Sequence, residues 1–218
     1  MTHVGEIALR QRRLVAKTPT LPQAATPPGT RGAILQAGLT LFAEQGFHGS
    51  SIRQLAAAVG ITTATLYAHY PSKDDVLTEL IRIGHEEIWQ RLSAAVADVA
   101  DPTARLRALV GAHVHLHIDH ALLAVVVNNE LHALHPDQAE SALTLRNKCF
   151  QLLADTISDG VANRDFDIVD PELAAIAIAS MNMRVANWYD PRLSYTPDQL
   201  ATRYAEYALD IVRARRPI

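Results

Sequence analysis

Three short segments of this 218-residue chain mark the starts of helices, and they limit the fold more than any other feature. The Asp-Pro pairs at 101–102 and 170–171 and the Thr-Pro pair at 196–197 each place a helix-capping side chain directly before a proline. Proline is favoured in the first turn of a helix. From Pro28 onward, apolar residues recur at helical spacing, and only the fragment "DFDIV" (165–169) alternates as a strand does. We therefore predict an all-α protein of about nine helices without an internal repeat.

Composition indicates a globular protein with a sizeable core, since hydrophobic residues make up 49% of the chain. No uninterrupted apolar run is longer than Ala121 to Val127, which is far too short to cross a bilayer. The first residues, "MTHVGEIALRQRR", lack the apolar stretch of a secretory signal. The single cysteine, Cys149, excludes a disulfide within the chain and a cysteine-based zinc site, and we expect it to be a small buried hydrophobic residue. A cytoplasmic protein with no membrane partner is predicted.

The formal net charge of −3 is unevenly distributed along the chain. Up to Arg82, lysine and arginine exceed the acids by three, whereas the remainder carries a net charge of −6. This asymmetry favours an N-terminal part that faces a polyanion and a body with a different task.

Two short helices, Ser51 to Val59 and Thr63 to His69, are joined by "GIT" and read as a helix-turn-helix. Gly60 supplies the left-handed backbone conformation that such a tight turn needs. Leu55, Ala56, Ile61 and Leu66 are predicted to face inward, which leaves five polar side chains outside: Thr62, Thr63, Thr65, Tyr67 and His69. Hydroxyl groups and a phenol can donate hydrogen bonds to phosphate oxygens or base edges, so this surface suits a DNA groove.

The segment "ILQAGLTLFAEQGFHGSSIRQLAAAVGITTATLYAHYPSKDDVL" (34–77) resembles the N-terminal domain of the tetracycline-repressor (TetR) family. The similarity lies in "FAEQGF", the serine pair before "IRQLA", the "GIT…TLYAHY" turn and helix, and "SKDDVL". It implies DNA contacts by Ser51, Arg53, Thr62, Thr63, Thr65, Tyr67, His69 and Lys73. Of these, Tyr67, His69 and Lys73 would hold the DNA backbone, and Arg53, Thr63 and Thr65 would read bases. Tyr70, where the family most often has phenylalanine, is expected to pack inward.

The domain organisation follows from these motifs. The segment "TPTLPQAATPPGT" (18–30) has four prolines and no charge, which is typical of a linker. We predict a basic flexible arm and proline-rich linker at 1–28, a helix-turn-helix DNA-binding domain at 29–75, and a ligand-binding and dimerisation domain at 76–218. The arm carries four basic residues that either reach the minor groove and phosphates or belong to a disordered leader: Arg10, Arg12, Arg13 and Lys17.

The segment "HVHLHIDH" (113–120) has the most unusual composition of the body. On a helix, His113, His117 and His120 share one face, and a histidine pair at i, i+4 can bind zinc, so a metal-responsive regulator is one hypothesis. The other is that some of these histidines line a small-molecule pocket, because apolar residues surround them. The predicted pocket residues are His113, His117, Leu123, Val126, Phe150 and Met181.

Three later segments are similar to a subgroup of the TetR family that regulates fatty-acid and sterol catabolism and responds to CoA thioesters: "NNELHALHP", "RNKCFQLLADTISDGVANRDFDIVDPELAA" and "NWYDPRLSYTPDQLATRYAEYALDIV". That similarity implies that the polar and aromatic framework of the pocket consists of Asn128, Glu130, Arg146 and Trp188. The family pairs its last two long helices into a four-helix bundle, which implies a homodimer through Pro171 to Trp188 and Pro197 to Val212. The predicted function is a repressor that binds a palindromic operator as a dimer and is released by a small apolar ligand, for which the subgroup similarity implies an acyl-CoA.

Catalysis is not indicated, because the chain has no glycine-rich phosphate loop and no "GxSxG" motif. No cofactor is expected, only a small-molecule effector. A constitutive DNA binder is a further alternative, but DNA binding alone does not need a body of about 140 residues.

Overall fold

The computed structural model describes residues 20–215. The basic arm predicted to end at Lys17 lies outside this range. Within the predicted linker, Leu21 and Pro22 are buried, and the Thr26 hydroxyl donates a hydrogen bond to the Pro22 carbonyl at 2.7 Å. The end of that segment is therefore packed and turned.

Residues 20–215 form helices and contain no strand, so the all-α prediction is confirmed. A short 3-10 helix, Leu131–Ala133, follows the sixth of the α-helices. The α-helices are α1 (Gly29–Gln45), α2 (Ile52–Val59), α3 (Thr63–His69), α4 (Lys73–Val96), α5 (Pro102–Asp119), α6 (Ala121–Glu130), α7 (Pro136–Ala162), α8 (Pro171–Met183), α9 (Val185–Trp188) and α10 (Pro197–Ile211).

The predicted helix from Pro171 to Trp188 is broken at Arg184, so that prediction was wrong in its extent. The backbone changes there from i→i−4 hydrogen bonding to an i→i−3 bond, in which Asn187 N–H donates to the Arg184 carbonyl at 3.0 Å. Val185 and Ala186, directly after the break, are fully buried. The break thus coincides with the burial of two further apolar residues.

The predicted helix starts are present as capped N-termini. Asp101 accepts from the Ala104 N–H at 2.7 Å, and Asp170 accepts from the Leu173 N–H at 2.9 Å. Thr196 forms a reciprocal capping box with Gln199. Each cap contributes about 1 kcal/mol to helix stability.

The described residues divide into two compact units that are not continuous in sequence: 20–87 with 120–144, and 88–119 with 145–215. Contacts thus group 120–144 with the N-terminal helices, and the domain boundaries at 28/29 and 75/76 remain a prediction. In the first unit, α1 packs against α2, α3 and α6. Close packing is visible at Gly38 on α1, where an added Cβ would lie 2.8 Å from Val76 Cγ1.

In the second unit, α5 packs along α10 and also contacts α8 and α9. Its core-facing side chains Leu106, Val110 and Val114 are fully buried. A central apolar helix with neighbours on several sides is the expected core of such a bundle.

The apolar run Ala121 to Val127 forms the buried start of α6. In the described part of the chain, no single helix is long and apolar enough to cross a membrane. Within residues 20–215, the length and composition needed for a membrane span are reached only when two successive segments are added together, Pro102–Asp119 and Ala121–Ala133.

Candidate functional site

The helix-turn-helix is built by local interactions at both ends of α2. Ser51 caps the helix through a capping box with Gln54. At the other end, Gly60 has φ 74° and ψ 30°, and its N–H donates to the Ala56 and Ala57 carbonyls. An L-residue with a side chain would be strained in this left-handed conformation, which explains the glycine at the turn.

The recognition helix α3 presents its polar side chains outward. Leu66 is fully buried, whereas Tyr67 is 50% exposed. Thr62 and Thr65 are exposed, and their hydroxyl oxygens lie 2.9 Å apart while Thr62 also accepts from the Thr65 N–H. The orientation of this helix therefore leaves a hydroxyl-rich surface accessible to a partner.

The other predicted DNA contacts are accessible to different degrees. Ser51 and Arg53 are exposed, and Thr63 and His69 are half-buried. No aspartate or glutamate occurs between Glu44 and Asp74, so no acid of this segment opposes the approach of phosphate.

Lys73, the eighth predicted DNA contact, forms hydrogen bonds within the protein. Its Nζ donates hydrogen bonds to the carbonyls of Phe47 at 2.6 Å and Ser50 at 2.8 Å. It also lies 4.0 Å from the centre of the Phe47 ring. Two of the three ammonium donors are thus engaged by the loop that precedes α2.

Tyr70 packs inward, as expected, with 2% of its surface exposed. Arg31 Nε donates to the Tyr70 hydroxyl at 3.2 Å, and the Arg31 guanidinium carbon lies 4.9 Å from the ring centre. Burial raises the pKa of Tyr70. Sequence reasoning did not find Arg31, which connects the start of α1 to the end of the recognition helix.

The predicted effector residues are divided between the two compact units. Leu123, Val126 and Asn128 lie on α6 in the first unit, where Leu123 and Val126 are buried. The second unit contains the others: His113, His117, Phe150, Met181 and Trp188. Their joint role in one pocket stays a prediction.

Within the second unit, the buried His117 and Asn182 and the half-buried His113 form a polar cluster, of which sequence reasoning missed Asn182. The two imidazole rings are perpendicular with centres 4.5 Å apart, and His117 Nδ1–H donates to the His113 carbonyl at 2.8 Å. The Asn182 amide nitrogen lies 3.5 Å from His113 Nδ1. The Asn182 side-chain oxygen is buried without a hydrogen-bond partner among the described residues. The only sequence signal was a lone asparagine in the apolar helix "AAIAIASMNM".

Burial keeps this cluster uncharged near neutral pH. It lowers the pKa of His113 well below its usual value and that of His117 to about 4. A buried imidazolium would lack the solvation that offsets its charge.

Acid should therefore destabilise the protein through His117. Above pH 6.5 both the folded and unfolded states hold this imidazole neutral, so its contribution is complete. Between pH 6.5 and about 4 only the unfolded state takes up the proton, and roughly 3 kcal/mol of unfolding free energy is lost. Urea unfolding at a series of pH values should show a smaller loss across this window for His117→Gln than for the wild type. The exposed His135→Gln variant serves as control, and equal losses in all three proteins would contradict the prediction.

The predicted histidine metal site is not found. Across residues 20–215, no group of three or more His, Cys, Asp or Glu side chains is arranged to hold a metal ion. The Nδ1–H of His117 donates to the His113 carbonyl on α5. His120 belongs to the first unit, where its Nδ1–H donates to the Thr20 carbonyl of the same unit. Shared spacing on a helix was therefore not sufficient to bring the three rings together.

Apolar side chains remain exposed on the last long helices. Leu173 and Ile176 on α8 are 61% and 47% exposed, and Tyr207 on α10 is 54% exposed. These residues, together with the exposed Ile211, define the α8–α10 apolar face. The helices α8 and α10 contact one another within their unit.

An exposed, acid-free recognition helix attached to a helical body defines a helix-turn-helix regulatory protein. The family model "Bacterial regulatory proteins, tetR family" matches residues 34–80, and "Tetracyclin repressor-like, C-terminal domain" matches residues 99–212. The second model alone spans more than half of the chain. The protein belongs to the TetR family of transcriptional regulators, which are not enzymes.

Similar proteins extend over most of the chain. The HTH-type transcriptional repressor KstR2 of Rhodococcus jostii (strain RHA1) is 28% identical over 184 residues, which cover 84% of this chain and 90% of that protein. The crystal structure of a tetR-family regulatory protein from Rhodococcus RHA1 has a TM-score of 0.80 and 29% identity, and covers 87% of this chain and 100% of that one. AibR in complex with isovaleryl coenzyme A and operator DNA has a TM-score of 0.75 over 85% of this chain and 99% of that one. At 22% identity, AibR shares the fold.

Proposed function

We propose that this protein is a cytoplasmic repressor that binds a palindromic operator as a homodimer and is released by a small apolar effector of the acyl-CoA class. The observation that carries the proposal is the exposed hydroxyl-rich face of α3 in a chain of the TetR family. In this proposal Tyr67 and His69 contact the DNA backbone, and Arg53, Thr63 and Thr65 read base edges. Ser51 and Thr62 contact phosphate at the starts of α2 and α3.

The α8–α10 apolar face supports the homodimer. Contiguous exposed apolar surface is unusual on a monomer and commonly marks a protein–protein interface. Helix-turn-helix dimers place their recognition helices about 34–36 Å apart, one turn of DNA, which accounts for a palindromic operator.

The second unit supports an effector site through its composition. Small-molecule pockets are mostly apolar with a few convergent polar groups, and the His113–His117–Asn182 cluster supplies such groups in an apolar bundle. The effector class is proposed from the resemblance of the body to regulators of fatty-acid and sterol catabolism. It is consistent with AibR, a protein of the same fold solved with isovaleryl coenzyme A and operator DNA.

Release requires only a modest difference in effector affinity between two dimer geometries. A coupling of about 1–3 kcal/mol changes operator affinity by roughly 5- to 150-fold. The helix α4 is the proposed moving element, because it begins at Lys73, four residues after the recognition helix ends, and extends to Val96.

The test is a titration of the purified protein into labelled duplex from directly upstream of its own coding region, at two salt concentrations. Saturable, salt-sensitive binding that exceeds binding to a scrambled duplex of equal composition is expected, as is release by one member of an acyl-CoA panel. Free coenzyme A is the matched control. Absence of specific binding would overturn the DNA proposal, whereas binding without release would overturn only the effector class.

A further inference from the structure

We propose that Lys73 is a positioning residue that fixes the N-terminus of α2 against the first turn of α4, and that it is not a phosphate contact. This inference rests on the proposed DNA-binding function, and it assigns a different role to one of the residues expected to hold the DNA backbone.

The α1–α2 loop (46–51) is tightly folded around the Lys73 ammonium. The Phe47 carbonyl accepts from Lys73 Nζ at 2.6 Å and from the Ser50 hydroxyl at 2.8 Å, and the Ser50 carbonyl accepts from the same ammonium at 2.8 Å. The loop has little room to adjust, because a Cβ at Gly49 would lie 2.3 Å from the Gln45 carbonyl oxygen. Lys73 on α4 thus donates hydrogen bonds to two carbonyls of the α1–α2 loop.

The environment of the ammonium favours this internal role. Phe47 and Ser50 are buried, and the ammonium stands 4.0 Å from the centre of the Phe47 ring, within the range of a cation–π interaction. Hydrogen bonds from a charged donor are about twice as strong as neutral ones. A move toward phosphate would break two such bonds and the ring contact, so the geometry opposes it.

The loop leads directly into the DNA-facing part of α2. Ser51, the residue after Ser50, caps α2, and Arg53 lies in the first turn of that helix. The position of Lys73 therefore determines where Ser51 and Arg53 are presented. Any movement of the first turn of α4 is transmitted to α2 through the same bonds.

Salt dependence separates a positioning residue from a phosphate contact. Each neutralised phosphate contributes about 0.9 to the slope of log K against log salt concentration, hence about 1.8 for a residue present twice in a dimer. Loss of a phosphate contact lowers this slope, whereas misplacement of α2 lowers the affinity at every salt concentration.

The experiment compares full-length Lys73→Met, Arg53→Gln and Lys148→Met with the wild type on the duplex from upstream of the coding region. Lys148 lies on α7, far along the chain, and controls for the loss of one positive charge. We expect Lys73→Met to weaken binding by roughly tenfold or more with an unchanged slope. Arg53→Gln, which removes a base contact, should reduce the preference for this duplex over a scrambled one, and Lys148→Met should change neither affinity nor slope. A slope lower by about 1.8 in Lys73→Met, or wild-type affinity in the folded variant, would overturn the proposal.

Amide hydrogen exchange gives a second readout that does not depend on DNA. Exchange at 50–54 should be faster in Lys73→Met than in the wild type and Lys148→Met, while the amides of α5 remain protected. Unchanged exchange in this segment would also overturn the proposal. If the wild type binds no DNA specifically, the proposed function fails, and the exchange measurement still decides whether Lys73 holds the loop.

Discussion

Replacing Tyr67 by alanine is expected to abolish specific operator binding while the dimer and its thermal stability are preserved. Half of the Tyr67 side chain is exposed on the recognition helix, so its removal leaves no cavity in the core. A hydrogen bond to a charged phosphate contributes about 1.5–3 kcal/mol, and the dimer would lose two. Affinity should therefore fall by roughly 100-fold or more, as measured by titration of labelled operator duplex.

Two variants make the Tyr67 result specific. Tyr67→Phe retains the ring and removes only the hydroxyl, so it should lose most of the affinity if the phenol donates to phosphate. Tyr195→Ala removes a tyrosine of similar exposure from the segment between α9 and α10 and should bind as the wild type does. Tight binding by Tyr67→Ala would place the DNA-binding surface elsewhere, and dissociation of its dimer would assign Tyr67 a structural role.

The second large effect is expected from the double variant Leu173→Asp, Ile176→Asp, which should convert the dimer to a monomer. Both side chains are exposed, so the charges do not enter the core of the single chain, but they would be buried without a partner in the interface. Sedimentation velocity should show the mass of one chain, with an unfolding midpoint close to that of the wild type. A monomer contacts only one half-site, so the two contacts no longer reinforce one another. Operator affinity should therefore fall by about 10²- to 10⁴-fold.

Leu143→Asp on α7 is the matched control, because Leu143 is also an exposed leucine but lies outside the α8–α10 apolar face. That variant should remain a dimer. A dimer that persists in the Leu173, Ile176 double variant would show that the interface uses a different surface. A monomer that retains full operator affinity would show that dimerisation is not needed for binding.

The local parts of the fold were predictable because their causes are local. A capping side chain acts on an amide three residues away, as Asp170 does on Leu173, so the signal is complete within a few letters of sequence. Gly60 is similar, since the left-handed turn depends on the residue at that position. The exposure of Tyr67 and the burial of Leu66 and Tyr70 also follow from helical spacing.

The break at Arg184 and the separation of His120 from His113 and His117 were not predictable from spacing. Helical periodicity assigns side chains to faces only while the helix continues, and α5 ends at Asp119, before His120. The break at Arg184 is accompanied by burial of Val185 and Ala186, which is set by the surrounding helices.

The sequence by itself determined the helical class, the turn of the helix-turn-helix and the outward face of α3, because each depends on neighbouring residues. Only the tertiary structure decided that Lys73 donates to carbonyls 23 and 26 residues away. It also decided that Arg31 donates to the Tyr70 hydroxyl and that Asn182 lies beside His113. Every residue has a carbonyl, so no pattern of letters identifies which ones a lysine will reach. The selection depends on how α1, α2 and α4 pack, which is a property of the whole core and not of a local motif.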